Sequence, residues 1–178
     1  MFKVVTIALV FSFSLTACLM DFTHTLASSQ RVTVGDVVVE EKIYREDAFP
    51  DARYVRIYWV QTGQQHIEVG RYDDEGQQSM ANPPVIIADW LVIMSGAHLF
   101  FWQAAAEARH FYPYDALDWM AYAETRQLNG HYDYAATAVQ IDGDRWQLTY
   151  TGSACLADQP PTIHFRSADG GQSFHVVD

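Results

Sequence analysis

Apolar and polar side chains alternate along several segments in the first half of the chain. The segment Asp36–Tyr44 is rich in β-branched residues, and Arg53–Val60 alternates with a period of two. Such alternation is typical of strands that bury one face. In the second segment the apolar face is predicted to carry Val55, Ile57 and Trp59. Thr62 and Gly63 separate this segment from Gln65–Tyr72, so the two segments are predicted to form a hairpin.

The most apolar part of the chain after its beginning runs from Val85 to Met94 and resumes from His98 to Trp102. Ser95 and Gly96 separate the two runs, which predicts two strands joined by a tight turn. A membrane span needs about 20 consecutive apolar residues. Asp89 and the Ser-Gly pair interrupt the run before it reaches that length.

The segment 103–128 supports both helix and strand. Ala104–Arg109 has high helix propensity, and Asp115–Asp118 has the residues of a helix cap. Asn129-Gly130 is instead a hairpin signal, flanked by Tyr122–Leu128 and Tyr132–Val139. We predict a turn or two of helix within 103–120 and strand elsewhere, followed by a tight turn over 141–146.

These patterns predict a mostly β fold: a single small antiparallel β domain, as a sandwich or a partly open barrel, with at most a short helix. The domain is predicted to span residues 31–178. A signal peptide over 1–17 and a lipidated cysteine with a flexible tether over 18–30 are predicted to precede it.

The first residues have the features of a secretory leader. A basic start ending at Lys3 is followed by the apolar run Val4–Leu15 and then by Thr16-Ala17-Cys18. Residues 15–18 resemble the lipobox of bacterial lipoproteins, which implies cleavage before Cys18 and its acylation. In such lipoproteins, an Asp directly after the cysteine resembles an inner-membrane retention mark. Residue Leu19 occupies this position instead, which implies an outer-membrane lipoprotein that faces the periplasm. Two alternatives are conventional cleavage after the pattern at 25–27 and a first strand of a cytosolic protein.

The charge of the chain restricts its partners. Without residues 1–17 it carries 10 basic and 22 acidic side chains, a formal net charge of −12. This balance excludes nucleic-acid binding, which needs clustered Lys and Arg, and it favours a basic protein partner. With Cys18 lipidated or removed, Cys155 has no partner within the chain, so we expect it either buried or bonded to another molecule.

A motif near the end of the chain carries a second resemblance. Residues 167–174 resemble the Asp-box, or bacterial neuraminidase repeat, at all five of its defined positions, which are Ser167, Asp169, Gly171, Ser173 and Phe174. The aspartate side chain is expected to bond backbone N–H groups within its own turn, and the aromatic residue to pack into the core. The motif is expected to act as a structural element and not as a catalytic site.

The leader, Ile43-Tyr44-Arg45 and the Asp-box together resemble lipoproteins that protect bacteria from type VI secreted lipase toxins. This resemblance implies a binding protein without catalytic activity, cofactor or metal, whose partner is a basic secreted toxin. The candidate partner-binding residues are Asp73, Asp74, Glu75, Tyr112 and Tyr114. The alternative is an envelope-assembly or ligand-binding lipoprotein, for which a pocket lined by Trp59, Trp90, Phe100 and Trp102 is the expected feature.

Overall fold

The computed structural model describes residues 24–46, 53–74, 82–126, 133–153 and 161–177. These residues form twelve strands and two short helices, which confirms the mostly β, antiparallel fold. The elements in chain order are β1 (His24–Val34), β2 (Val37–Glu46), β3 (Arg53–Thr62), β4 (Gln65–Asp74), β5 (Val85–Ile87), β6 (Trp90–Ser95), β7 (His98–Trp102), β8 (Arg109–Phe111), α1 (Pro113–Ala116), α2 (Trp119–Thr125), β9 (Tyr134–Asp142), β10 (Arg145–Gly152), β11 (Thr162–Ser167) and β12 (His175–Val177).

The strands form three four-stranded sheets, in which each strand pairs with its neighbours in sequence. The first sheet contains β1 to β4, the middle sheet β5 to β8 and the third sheet β9 to β12. All pairs are antiparallel. The predicted hairpins at Thr62-Gly63, Ser95-Gly96 and 141–146 are therefore confirmed.

The middle sheet is buried on both faces, which explains the long apolar run in the sequence. Leu91, Ile93, Phe100 and Trp102 form one core cluster with side chains of the first sheet. Alternate residues of the same strands, Val92, Leu99 and Phe101, form a second cluster with the third sheet, together with Phe111 of β8. A strand buried on both faces has no polar alternation, and this is the pattern that the sequence shows.

A close approach of backbone and ring joins the first sheet to the middle sheet. Gly70 on β4 lies against the Phe100 ring on β7, and a methyl group at residue 70 would overlap that ring. The absence of a side chain at Gly70 therefore allows the two sheets to meet at this point.

Two boundaries differ from the sequence-based prediction. The tether was predicted to run to residue 30, but β1 begins at His24, because its backbone pairs with β2 from His24 opposite Glu46 onwards. Residues 122–126 were predicted as strand and instead belong to α2 and its C-cap. Asp118 caps this helix by accepting a hydrogen bond from the Ala121 amide at 3.2 Å, so the predicted cap is confirmed and the helix continues past it.

The Ala-rich segment 104–109, which has high helix propensity, forms a turn that leads into β8. The Gln103 carbonyl accepts a hydrogen bond from the Ala106 amide at 3.0 Å, and Arg109 pairs with Phe101 across the sheet. Sheet pairing thus outweighs the intrinsic propensity of the alanines.

The inward face of β3 is the opposite of the expected one. Tyr58 and Val60 belong to the core cluster and Arg56 is buried beside them, whereas Trp59 is half-buried on the outer face. The alternation of β3 is only partly confirmed, because Ile57 on the outer face is also buried, and the arginine and tyrosine of the strand point inward. They do so because a buried glutamate on β2 and a serine on β6 satisfy their polar atoms, as described next.

Candidate functional site

A buried polar network lies between the first and middle sheets. Glu41 on β2 and Arg56 on β3 are 1% and 3% exposed, and the Arg56 guanidinium donates a hydrogen bond to the Glu41 carboxylate. The Tyr58 hydroxyl lies 2.8 Å from Glu41 Oε1 and 2.7 Å from Ser95 Oγ. Burial, with the nearby Tyr72 and Glu41 adding to it, raises the pKa of Tyr58 far above its ordinary value, so this hydroxyl stays protonated.

The network continues from the core to the surface through Tyr72 on β4. The Tyr72 hydroxyl lies 2.6 Å from Ser95 Oγ, and the Arg56 guanidinium lies 5.9 Å from the centre of the Tyr72 ring. The Tyr72 ring stacks on His98 with 3.9 Å between centroids, and Tyr112 stacks on the ring of His98 at 4.3 Å. His98 is therefore held between two tyrosines.

The stack borders an open groove of about 690 Å³ between the β6–β7 turn, the segment before α1 and the start of β9. The side chains that give the groove its chemistry are Tyr72, His98, Tyr112, Tyr114 and Asp133. We call these five residues the tyrosine groove. Tyr114 also stacks on Trp119 at 4.5 Å, so each tyrosine ring of the groove rests on another ring. Aromatic side chains held in this way lose little conformational entropy when they bind a partner.

Two pKa values at the groove reflect its partial burial. Burial lowers the pKa of His110, whose Nε2 lies 2.9 Å from Nδ1 of His98, and Asp115 offsets part of this shift. Burial raises the pKa of Tyr114, and the carboxylate of Asp133 adds to the increase. Both shifts favour the uncharged form of the aromatic group.

The sequence-predicted binding residues are only partly brought together. Tyr112 and Tyr114 lie in the tyrosine groove. Asp73 is exposed at the end of β4 and Asp74 is the last residue of that strand, whereas Glu75 lies outside the described residues. Since consecutive strand residues point to opposite faces, Asp73 does not share the face of Tyr72.

Sequence reasoning missed Tyr72, His98 and Asp133. They lie on β4, on β7 and immediately before β9, so no local spacing connects them. Sheet pairing and the folding of the middle of the chain bring them together, and neither is visible in one short motif.

The turn at residues 167–174 has the predicted mechanics. Asp169 Oδ1 accepts hydrogen bonds from the amides of Gln172 and Ser173, both at 3.0 Å. The Ser167 hydroxyl donates to Asp169 at 2.6 Å and accepts from the Gly171 amide at 2.9 Å. Hydrogen bonds from the two serine hydroxyls and the backbone hold the pKa of Asp169 well below its ordinary value. The turn is therefore built around an ionised carboxylate.

Two contacts attach this turn to the rest of the molecule. The Phe174 ring packs 4.6 Å from Phe111 on β8, as predicted for the aromatic position. Arg109 on the same strand donates a hydrogen bond to the Gly170 carbonyl, and its guanidinium lies 5.0 Å from the Trp90 ring centre. These contacts join the turn to β8 of the middle sheet.

The residues of the alternative ligand pocket do not line one cavity. Phe100 and Trp102 belong to the cluster with the first sheet, Trp90 packs on the cluster with the third sheet, and Trp59 stacks on His66.

Cys18 and Cys155 lie outside the described residues. Within the described ranges, no group of three or more His, Cys, Asp and Glu side chains is placed to hold a metal ion. The same ranges contain no helix long and apolar enough to cross a membrane.

No protein-family model, curated protein or solved structure matches this chain.

Proposed function

We propose that this chain is an outer-membrane lipoprotein, held by lipid at Cys18 and facing the periplasm, that neutralises a type VI secreted lipase toxin by binding it. The proposal rests on the leader at 1–18, on the acidic charge and on the tyrosine groove. The groove is the observation that favours binding, because it joins aromatic side chains of fixed orientation to an exposed carboxylate.

The chemistry of the groove fits a basic segment of a protein partner. Tyrosine rings attract guanidinium and ammonium groups over their faces, and Asp133 supplies a charge of opposite sign. Tyrosine is also among the residues that contribute most to binding energy at protein interfaces. A lysine or arginine of the toxin would therefore lie between Tyr112, Tyr114 and Asp133.

Neutralisation would follow from coverage of the toxin surface, without a reaction. The remaining acidic side chains accelerate encounter with a positively charged surface, since electrostatic steering raises association rates. The lipid anchor keeps the protein in the compartment where the toxin arrives. No catalytic group of the chain is needed for this activity.

The test is a contact-dependent competition on a solid surface between a deletion mutant and its parent. We expect the parent to kill the mutant, and we expect killing to stop when the parent's secretion apparatus is disabled. Capture from the parent's envelope then identifies the toxin. Equal survival of the mutant while the apparatus is active would overturn the proposal.

A further inference from the structure

The outer face of the third sheet carries a row of hydrogen-bonding side chains. Gln140, Gln147, Arg166 and His175 are directly opposite one another on β9, β10, β11 and β12. Opposite residues in antiparallel strands have Cβ atoms about 5 Å apart. Arg145 precedes Gln147 by two residues, so it lies on the same face of β10. These five side chains line an open cavity of about 420 Å³.

The arginines of this face differ from three arginines of the first sheet. Arg31, Arg56 and Arg71 each form an ion pair with a glutamate. No described carboxylate lies within ion-pair distance of Arg145 or Arg166, and both side chains are exposed.

Arg166 contacts its neighbour in the row. Its Nε donates a hydrogen bond to Gln147 Oε1 at 3.4 Å, which leaves the terminal nitrogens for another acceptor. A guanidinium presents parallel N–H groups that match the two oxygens of a carboxylate. Asp142 also lines the cavity, and Asp169 contacts the lining residue Ser167 from the adjoining turn.

The local charge of this face opposes that of the whole chain, whose formal net charge is −11. At physiological ionic strength, charges more than about 8 Å apart are largely screened. The two arginines are the permanently charged cations of the cavity lining, and distant acidic residues do not cancel them. A cavity of this size also lies within the roughly 300–1,000 Å³ range of small-molecule sites.

We propose that this cavity binds a small ligand through a carboxylate group, with Arg145 and Arg166 contacting the carboxylate. Gln140 and Gln147 contact amide or hydroxyl groups beside it, since each glutamine offers both donors and an acceptor. The site is on the third sheet and does not involve the tyrosine groove. The ligand is therefore separate from the toxin proposed above.

The probe is N-acetyl-L-glutamate, which carries two carboxylates and an amide, and its dimethyl ester is the neutral control. Saturation-transfer NMR on the full chain as purified measures binding by observing the probe. We expect saturable binding of the acid and none of the ester. Arg166→Gln should weaken binding by at least tenfold, as expected when about 1.4 kcal/mol or more is lost. Arg53→Gln, at an exposed arginine on the first sheet, is the matched control and should leave binding unchanged.

A second titration uses a soluble peptidoglycan muropeptide, whose stem peptide also carries carboxylates beside amides. Tighter binding than N-acetylglutamate, lost in Arg166→Gln, identifies the cell-wall polymer as the source of the ligand. Equal affinities identify a free organic acid. The absence of saturable binding for both probes up to roughly 10 mM, well above a weak dissociation constant of about 1 mM, would overturn the proposal. Equal losses in Arg166→Gln and Arg53→Gln would also overturn it.

Discussion

The two faces of the middle sheet are packed in different ways. Towards the third sheet the core consists of apolar and aromatic side chains, among them Trp146, Leu148 and Phe165. Towards the first sheet the core also contains the ion pair of Glu41 and Arg56 with Tyr58 and Ser95.

The difference separates a stabilising interface from one that also positions the tyrosine groove. A buried ion pair contributes little net stability compared with apolar side chains of the same size. This one, however, reaches Tyr72 through Ser95, and Tyr72 holds one side of His98. We infer that the polar interface orients the groove, whereas the apolar interface and the turn at 167–174 stabilise the domain.

The largest effect is expected from breaking the ion pair. Arg56→Ala leaves the Glu41 charge buried without its partner, which should lower the free energy of unfolding by about 3–5 kcal/mol. Urea denaturation measures this loss. Arg53→Ala, on the same strand but exposed, should change it by less than about 0.5 kcal/mol.

The double variant Glu41→Leu/Arg56→Leu sharpens the comparison. It removes both charges, so it should be clearly more stable than Arg56→Ala. It should nevertheless disturb the position of Tyr72, because the guanidinium above its ring is lost. Equal stability of the double variant and Arg56→Ala would contradict the role assigned to the buried charge.

A smaller loss is expected at the turn of the third sheet. Ser167→Ala removes the acceptor of the Gly171 amide at 2.9 Å. Ser167 is 4% exposed, so water does not readily replace it, and the expected loss is about 1–3 kcal/mol. Ser173→Ala at the exposed end of the turn is the control and should cost less. Neither variant is expected to change binding at the tyrosine groove, because no residue of the turn lines the groove.

The smallest effect is a pH dependence that arises at the groove. The pKa of His110 in the folded state is below its ordinary value of 6.5, so the unfolded chain binds the proton more tightly. The contribution of His110 is therefore fully favourable above pH 6.5 and is lost as the pH falls below that value.

His98, Phe100 and Asp115 lie around His110. The charge of Asp115 opposes the effect of burial without reversing it, so the pKa of His110 remains lowered. Thermal denaturation between about pH 7 and 5, the range in which histidine titrates, measures it. His110→Phe keeps a ring against Phe100 and should flatten the profile. An unchanged profile in that variant would assign the pH dependence to other groups.

Much of the fold could be predicted from local patterns. Gly63, Gly96 and Gly143 all take positive φ values in the turns where hairpins were predicted. The turn at Ala88-Asp89 was missed, because alanine rarely adopts the positive φ that it has here and no glycine or asparagine marks the turn.

The buried ion pair could not be predicted in the same way. On β3, the apolar residues Val55 and Ile57 indicate one inward face, whereas Arg56 and Tyr58 occupy the other. Only the partners Glu41 and Ser95, which are distant in sequence, make the polar face suitable for burial. The sequence predicted part of the groove, namely Tyr112 and Tyr114, because an aromatic run is visible in a sequence. The residues that other strands place beside this run are not visible in the same way.

The most direct test of the account is a competition in which the parent meets deletion strains that have been complemented with single charge-reversal variants of this protein. Asp133→Arg places a positive charge in the tyrosine groove, and Asp36→Arg makes the same change in the exposed β1–β2 turn. We predict that cells with Asp133→Arg, at normal protein levels, are killed like the deletion mutant, whereas cells with Asp36→Arg survive like the parent. Full protection by Asp133→Arg would show that the groove is not the surface that binds the toxin.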